Sequence, residues 1–275
     1  MNEIGEAAAA VDTVVVEIVK GALRSAQLEM ETLLARTAMS PFIREKKDFF
    51  CALFDDWTRL VAGTAIPLFG DMIAPITEHY PLENMRPGDL YWFNDCYASR
   101  GAVSHTPDQV FVAPVFAEGK LSGFAQSWAH FNDVGGLRPG SLSPDAVDIF
   151  QEGVIIPPIR LARDGEVNDE AVRIFVRNSR FPAMVTGDIR AAVAAVRLGE
   201  KRLGELFARF GRAVVLGAFD ASIAETRGIV EARLRDIFTE GSYRFADRID
   251  RDGHGNGPFA LRMTLSAESG RLAID

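Results

Sequence analysis

A chain of 275 residues that is 48% hydrophobic and 25% charged has the composition of a globular protein, enough for one large domain or two modest ones. Its formal net charge of −8 argues against nucleic-acid binding, and it holds no apolar run of about 18 residues to span a membrane. The acidic opening, Met1 to Glu6, is unlike a secretory signal, and Cys51 and Cys96 alone make no disulfide framework, so a cytoplasmic location is expected.

Residues 1–12 are small and polar and read as frayed. From Asp12, apolar residues at Val15, Val19, Leu23, Ala26, Met30, Leu33 and Leu34 recur at helical spacing to about Ala38, and Ser40-Pro41 is expected to stop that helix. Phe49 to Asp55 and Arg59 to Thr64 read as two short strands around a turn at Asp55-Asp56. A helix is expected from Asp71 to Tyr80, and Met85 to Asp89 is turn chemistry.

Leu90 to Asn94, Gln109 to Val115 and Leu121 to Ala129 read as strands, the last two joined by a hairpin at Ala117 to Lys120. Gly135 to Pro144 is a loop, followed by a helical stretch around Asp145 to Phe150. Ile155 to Ile159 is extended, because consecutive prolines exclude a helix interior. Asn168 caps a helix running to Asn178; Pro182 to Phe210 forms one long helix or two, ended at Gly211, and Ala213 to Thr239 another. Tyr243 to Ile249, Phe259 to Ser266 and Arg271 to Asp275 alternate as strands do. The expected fold is α+β. A sheet-based metal-site region over residues 1–160 precedes a helical region over 161–240 and the start of a further β region over 241–275.

The chemistry concentrates between Asn94 and Gly136. His105 and His130, two of only four histidines, each stand three residues ahead of an aspartate, Asp108 and Asp133. Imidazole and carboxylate are ligands that borderline and hard divalent ions share. One such pair is more simply a hydrogen-bonded His and Asp; two of them bring a single metal site level with that reading. Asp95 fits a ligand, a carboxylate holding an imidazole, or a turn cap, and Asp133 fits the same supporting role or a simple turn with Gly135 and Gly136. That glycine pair would also let backbone approach a ligand closely. Asp48, taken by itself, reads as a solvated or capping acid, and Cys51 and Cys96 as buried thiols rather than nucleophiles. His79 and His254 look structural or superficial. The Gly253 to Gly257 loop lacks the lysine and following helix of a phosphate-binding loop, so no ATP site is expected here.

Taken together the motifs resemble the hydantoinase B / 5-oxoprolinase (HyuB-like) family. The likeness is carried by Leu33 to Pro41, Arg44 to Asp55, Arg86 to Asp89 and Asn94 to Tyr97. It continues through His105 to Asp108, Ala129 to Gly136, Gly140 to Asp145, Ile149 to Pro158, Asn178, Gly187-Asp188 and Leu198-Gly199. The resemblance implies a divalent metal centre, zinc, manganese, iron or magnesium, with Asp48, His105, Asp108 and His130 as ligands. It implies hydrolysis of cyclic amides such as hydantoins, 5-oxoproline or lactams, or in a subgroup carboxylation of ketones such as acetone or acetophenone. In both, ATP and its magnesium are handled by a separate HyuA-like ATPase subunit. This chain matches the N-terminal half of family members, so it is either a fragment or a split subunit, with a second chain expected to supply the C-terminal half. The alternative is an inactive interaction remnant. The family's usual Asn-Asp-Pro-Tyr and Gly-Gly-Thr-His runs stand here as Asn94-Asp95-Cys96-Tyr97 and Arg100 to His105, beside the implied ligands. The wording from Ser40 to Phe50 leans toward the carboxylase-like members.

Overall fold

The computed structural model describes residues 11–66, 70–140 and 142–275. The fraying expected over residues 1–12 falls outside the described residues as far as residue 10, as does Ser141 of the loop expected over Gly135–Pro144. Internal contacts divide the chain into two compact units, one ending at Ala221 and one spanning Ser222–Asp275.

The first unit opens on helix α1 (Thr13–Thr37), whose Asp12 cap accepts from the Val14 N–H at 2.7 Å. Its buried stripe, Val16, Val19, Leu23, Ala26, Met30 and Leu34, has the spacing of one helical face. The helix ends before the expected stop. Ala38 is already extended, and Pro41 instead opens a one-turn helix, α2 (Pro41–Arg44), where its missing N–H leaves nothing unsatisfied. Strands β1 (Phe49–Asp55) and β2 (Leu60–Gly63) pair antiparallel around a turn in which the Asp55 carboxylate accepts from the Trp57 and Arg59 N–H groups.

The helix expected over Asp71–Tyr80 shrinks to one turn, α3 (Ala74–Thr77). Asp71 caps the Ile73 and Ala74 N–H groups, and Pro75 sits in the first turn, so no helix extends back to Asp71. The sheet continues with β3 (Leu90–Phe93), β4 (Asp108–Ala117) and β5 (Lys120–His130). Glu118 and Gly119, both at positive φ (52° and 72°), make the tight β4–β5 hairpin whose twist matches its strands. The helical stretch read around Asp145–Phe150 is only a three-residue 3-10 turn at Ile149–Gln151. Two strands escaped the sequence reading, β6 (Ile159–Arg163) and β7 (Glu166–Val167). Helices α4 (Asp169–Arg177), α5 (Pro182–Phe210, continuous) and α6 (Arg212–Ile237) follow.

Seven strands in the order β2-β1-β5-β4-β3-β6-β7 form one antiparallel sheet. Both of its faces are covered, which is why β1 reads as a continuous apolar run rather than an alternation. Phe49, Cys51 and Leu53 join a core with α1 and α5, while Phe50, Ala52 and Phe54 join Met72, Ile76, Tyr91 and Trp128 on the other side. The start of β1, the start of β4 and the end of β5 meet at one end of this sheet, where Phe49 pairs with Ala129 and Asp108 with His130.

The second unit adds β8 (Gly241–Ile249), β9 (Phe259–Glu268) and β10 (Arg271–Ile274), an antiparallel sheet in the order β10-β9-β8 beside the end of its own α6 segment. No helix among the described residues is long and apolar enough to cross a membrane.

Candidate metal centre

Sheet register brings the two histidines together. Asp108 opens β4, His130 closes β5, and the two are cross-strand partners. Neighbouring positions on an antiparallel pair put side chains within direct reach. His105 arrives from the loop before β4, which is held by neutral side chains. Asn94 donates through Nδ2 to the Thr106 and Val154 carbonyls (2.7 and 2.8 Å) and accepts from the Ile156 N–H. Gln109 adds a second bond to the Thr106 carbonyl at 2.7 Å. The loop is thus fixed at Thr106, directly after His105, and a site on such a support is pre-positioned.

His105 Nε2 lies 3.1 Å from Asp108 Oδ1 and 3.0 Å from His130 Nδ1, and His130 Nδ1 lies 3.3 Å from Asp108 Oδ1. Three ligand-type atoms therefore converge on one point, among the described residues the only group of three or more His, Cys, Asp or Glu side chains so arranged. Donors each about 2.1 Å from a shared ion are separated by distances of this size. A single proton satisfies at most one edge of the triangle, whereas a cation satisfies all three. Asp108 and His130 are buried and His105 is half-buried, and the His130 Nε2 atom is buried without a partner among the described residues. The Phe42 ring of α2 packs on the His130 imidazole with centroids 4.5 Å apart. The donor set and its burial fit a divalent ion.

Electrostatics point the same way. Burial works against a charged His105, but the hydrogen bond and charge of Asp108, with Glu152 and Asp48 behind it, outweigh burial and hold the imidazole above its ordinary range. Burial pushes the Asp108 carboxyl up, yet hydrogen bonds from His105 and His130 hold it below the usual carboxylate range. In metal-free protein, a histidine raised above its ordinary 6.5 contributes stability that is complete below that pH and lost as pH rises through the raised value. Metal binding runs the opposite way, because the ligand must shed its proton. Between about pH 6 and 8, metal-free thermal stability should therefore fall while affinity, read by chelator competition, rises. An affinity flat across that window would remove His105 from the ligand set.

The remaining candidates are distributed around this cluster. Asp48 is half-buried, lies beside the centre by backbone, and accepts the His130 N–H on its carbonyl at 3.0 Å. Its carboxylate is 3.9 Å from the Lys46 ammonium and is not one of the three converging atoms. Asp95 accepts from the Tyr97 and Ala98 N–H groups, as a turn cap does. Asp133 is buried, accepts from the Gly135 N–H, and pairs with Arg180 at 3.1 Å. Gly135 (φ +90°) and Gly136 do approach backbone closely, but the backbone is the protein's own. A Cβ on Gly136 would meet the Glu152 carbonyl at 2.5 Å, and one on Gly135 the Asn178 carbonyl. Burial, with the charges of Glu152, Asp95 and Asp108, pushes the Cys96 thiol up to about 12, which leaves it protonated and a poor nucleophile.

Sequence reading missed two contributors. Glu152 binds Thr106 twice, through its carbonyl (2.9 Å from Oγ1) and a carboxylate oxygen (3.4 Å from the N–H). Asp188 is buried and accepts from the Met39 and Ser40 N–H groups (2.7 and 3.0 Å), anchoring the chain that leads through Phe42 to Asp48. Both stand inside the motifs that carry the family likeness, but nothing local marks their long-range partners. A cleft of about 580 Å³ lined by Cys96, Tyr97, Arg100, Ser104, Val147 and Glu152 runs beside the loop that carries His105.

A family model described as hydantoinase B/oxoprolinase matches residues 12–275. A putative D-/L-hydantoinase component from Pseudomonas sp. (strain NS671) is 32% identical over 283 residues, covering 96% of this chain and 46% of that protein. The acetophenone carboxylase delta subunit of Aromatoleum aromaticum is 30% identical over 225 residues, covering 78% of this chain and 32% of that protein. The crystal structure of ATP-dependent caprolactamase from Pseudomonas jessenii matches with a TM-score of 0.88 at 27% identity, over 97% of this chain and 46% of that one. The chain spans less than half the length of these relatives.

Proposed function

This chain belongs to the hydantoinase B/oxoprolinase family, and on that premise we propose that it carries the metal centre of an ATP-dependent cyclic-amide hydrolase of the hydantoinase or oxoprolinase type, working with a separate ATPase subunit. The observation that carries this reading is the triangle of His105 Nε2, Asp108 Oδ1 and His130 Nδ1, with sides of 3.0 to 3.3 Å at the end of a rigid sheet. Asp48, joined to His130 through the backbone, is proposed as the fourth ligand.

A divalent ion held by these residues would supply Lewis acidity toward a carbonyl oxygen and would acidify water there. Asp108 contributes the charge that favours a cation over a proton, and its burial keeps competing water away. His130, closed in by Phe42, fixes the inner corner of the triangle. His105, the most exposed of the three, faces the approach. Glu152 offers a carboxylate on the cleft wall, placed to hold a proton or to orient the amide nitrogen of a ring. ATP on the partner subunit would activate the substrate, since the relative from P. jessenii is an ATP-dependent caprolactamase.

The acetophenone carboxylase relative supports a second reading, the equivalent part of an ATP-dependent ketone carboxylase. Fold alone does not separate the two, because both reactions occur on one scaffold. Bicarbonate does. In an assembly reconstituted with a hydantoinase-type ATPase subunit and Mg-ATP, a hydantoin, 5-oxoproline or caprolactam should be ring-opened at an unchanged rate when bicarbonate is omitted. Turnover of a ketone that stops without bicarbonate would overturn the hydrolase reading.

A further inference from the structure

The cleft beside His105 is walled by two segments that hold their own shape. On one side Asp95 caps the Tyr97 and Ala98 N–H groups, and the Ser99 hydroxyl accepts from the Val103 N–H while donating to the Cys96 carbonyl. Arg100 and Gly101 then turn the chain at positive φ, 51° and 84°. On the other side Asp148 caps the Phe150 N–H, and the Gln151 amide oxygen accepts from the Val147 N–H at 2.7 Å. A cleft between two such segments is pre-formed.

Size and lining set one condition on what enters. The cleft volume of about 580 Å³ equals that of roughly twenty waters of about 30 Å³ each, several times what a bare hydantoin or lactam ring displaces. Its polar part adjoins the metal centre, since Ser104 precedes His105 and the Glu152 carboxylate lies 3.4 Å from the Thr106 N–H. Its lips are apolar. Tyr97 and Val147 both line it and are 76 and 68% exposed.

Charge sets a second condition. Of the charged residues lining the cleft, Arg100 is balanced by Glu78 at 2.6 Å, which leaves the carboxylates of Asp148 and Glu152. With Asp48 and Asp108 offsetting a divalent ion, the space is net negative. The Cys96 thiol registers this field, because burial and then the charges of Glu152, Asp95 and Asp108 push it up to about 12. A ligand carboxylate brought into the same space meets the same repulsion.

We propose that this cleft selects neutral cyclic amides carrying an apolar substituent, with the ring at Ser104 and Glu152 and the substituent between Tyr97 and Val147, and that it excludes rings bearing a free carboxylate. The inference rests on the hydrolase reading and narrows it. Substituted hydantoins and lactams fit, and 5-oxoproline does not. Tyr97 and Val147 set specificity through apolar contact, and Glu152 through its charge.

Ligand-observed NMR titration of the full, metal-loaded chain tests this with two matched pairs of ligands. Benzylhydantoin should bind at least about ten-fold more tightly than hydantoin, the scale on which a hydrophobic pocket reads an added apolar group. 5-Oxoproline should bind at least about ten-fold more weakly than pyrrolidinone, which lacks only its carboxylate. Tyr97→Ala should bring the first ratio below about two, and Glu152→Gln should draw 5-oxoproline toward pyrrolidinone. Metal content equal to wild type in both variants checks that the centre is intact. Equal affinities within either pair overturn the inference and leave the hydrolase reading standing, and equality in the first pair would assign Tyr97 and Val147 to a protein partner. A metal-loaded chain that binds none of the four rings contradicts the hydrolase reading itself, and this inference with it.

Discussion

Asp108→Asn is expected to weaken divalent-metal binding by more than about 100-fold, because changes to groups that merely orient a ligand already reach 10–100-fold. The side chain keeps its shape and loses the charge on which both imidazoles converge, from His105 at 3.1 Å and His130 at 3.3 Å. A neutral amide there cannot offset the desolvation of a cation in a buried corner. The loss should appear in competition with a chromophoric chelator, together with loss of any metal-dependent turnover. The fold should survive, since the substitution is isosteric. Metal retained at wild-type affinity would place the ion elsewhere.

Trp92→Ala should be the most damaging single change to the fold, at about 3–5 kcal/mol of unfolding free energy. Trp92 is fully buried, stacks on Phe111 (5.7 Å) and meets Phe175 edge-on (4.9 Å). Its Nε1 also donates to Gln109 Oε1 at 2.8 Å, while the Gln109 amide donates to the Thr106 carbonyl next to His105. Removing the indole therefore opens a cavity, strands a buried carbonyl oxygen and loosens the support of the loop that carries His105. Urea unfolding followed by circular dichroism measures the first two effects, and metal affinity in the folded variant measures the third. A loss below about 1 kcal/mol would mean that the core repacks around the missing ring.

These two residues illustrate what was legible in the sequence. The α1 and α5 helices and strands β1, β4 and β5 were readable because apolar spacing and caps agree locally, as Asp12 and the Glu118-Gly119 turn do. The segment over Asp71–Tyr80 was not, because Asp71 and Pro75 restrict a pattern that otherwise looks helical. Strands β6 and β7 were not read at all beyond the extended Ile155–Ile159 that leads into β6, since their strand character comes from pairing with β3 and with each other. At the centre, residue type and spacing brought forward His105, Asp108, His130 and Asp133 alike, and only the family resemblance chose among them; the Asp108–His130 pairing is a matter of register, which no local pattern encodes. Asp133 looked equivalent to Asp108, and only the tertiary structure supplies Arg180 as its partner. Asp188 and Glu152 act through backbone groups far away in sequence and carry no local signal at all.

The most direct test of the central claim is metal content. Protein purified without chelators, wild type beside His105→Ala, should be analysed by plasma mass spectrometry after exhaustive dialysis. About one divalent ion per chain in the wild type, lost in the variant, is the predicted result. Well-folded wild-type protein that holds no ion, and takes none up when offered zinc, manganese, iron or magnesium, would contradict it.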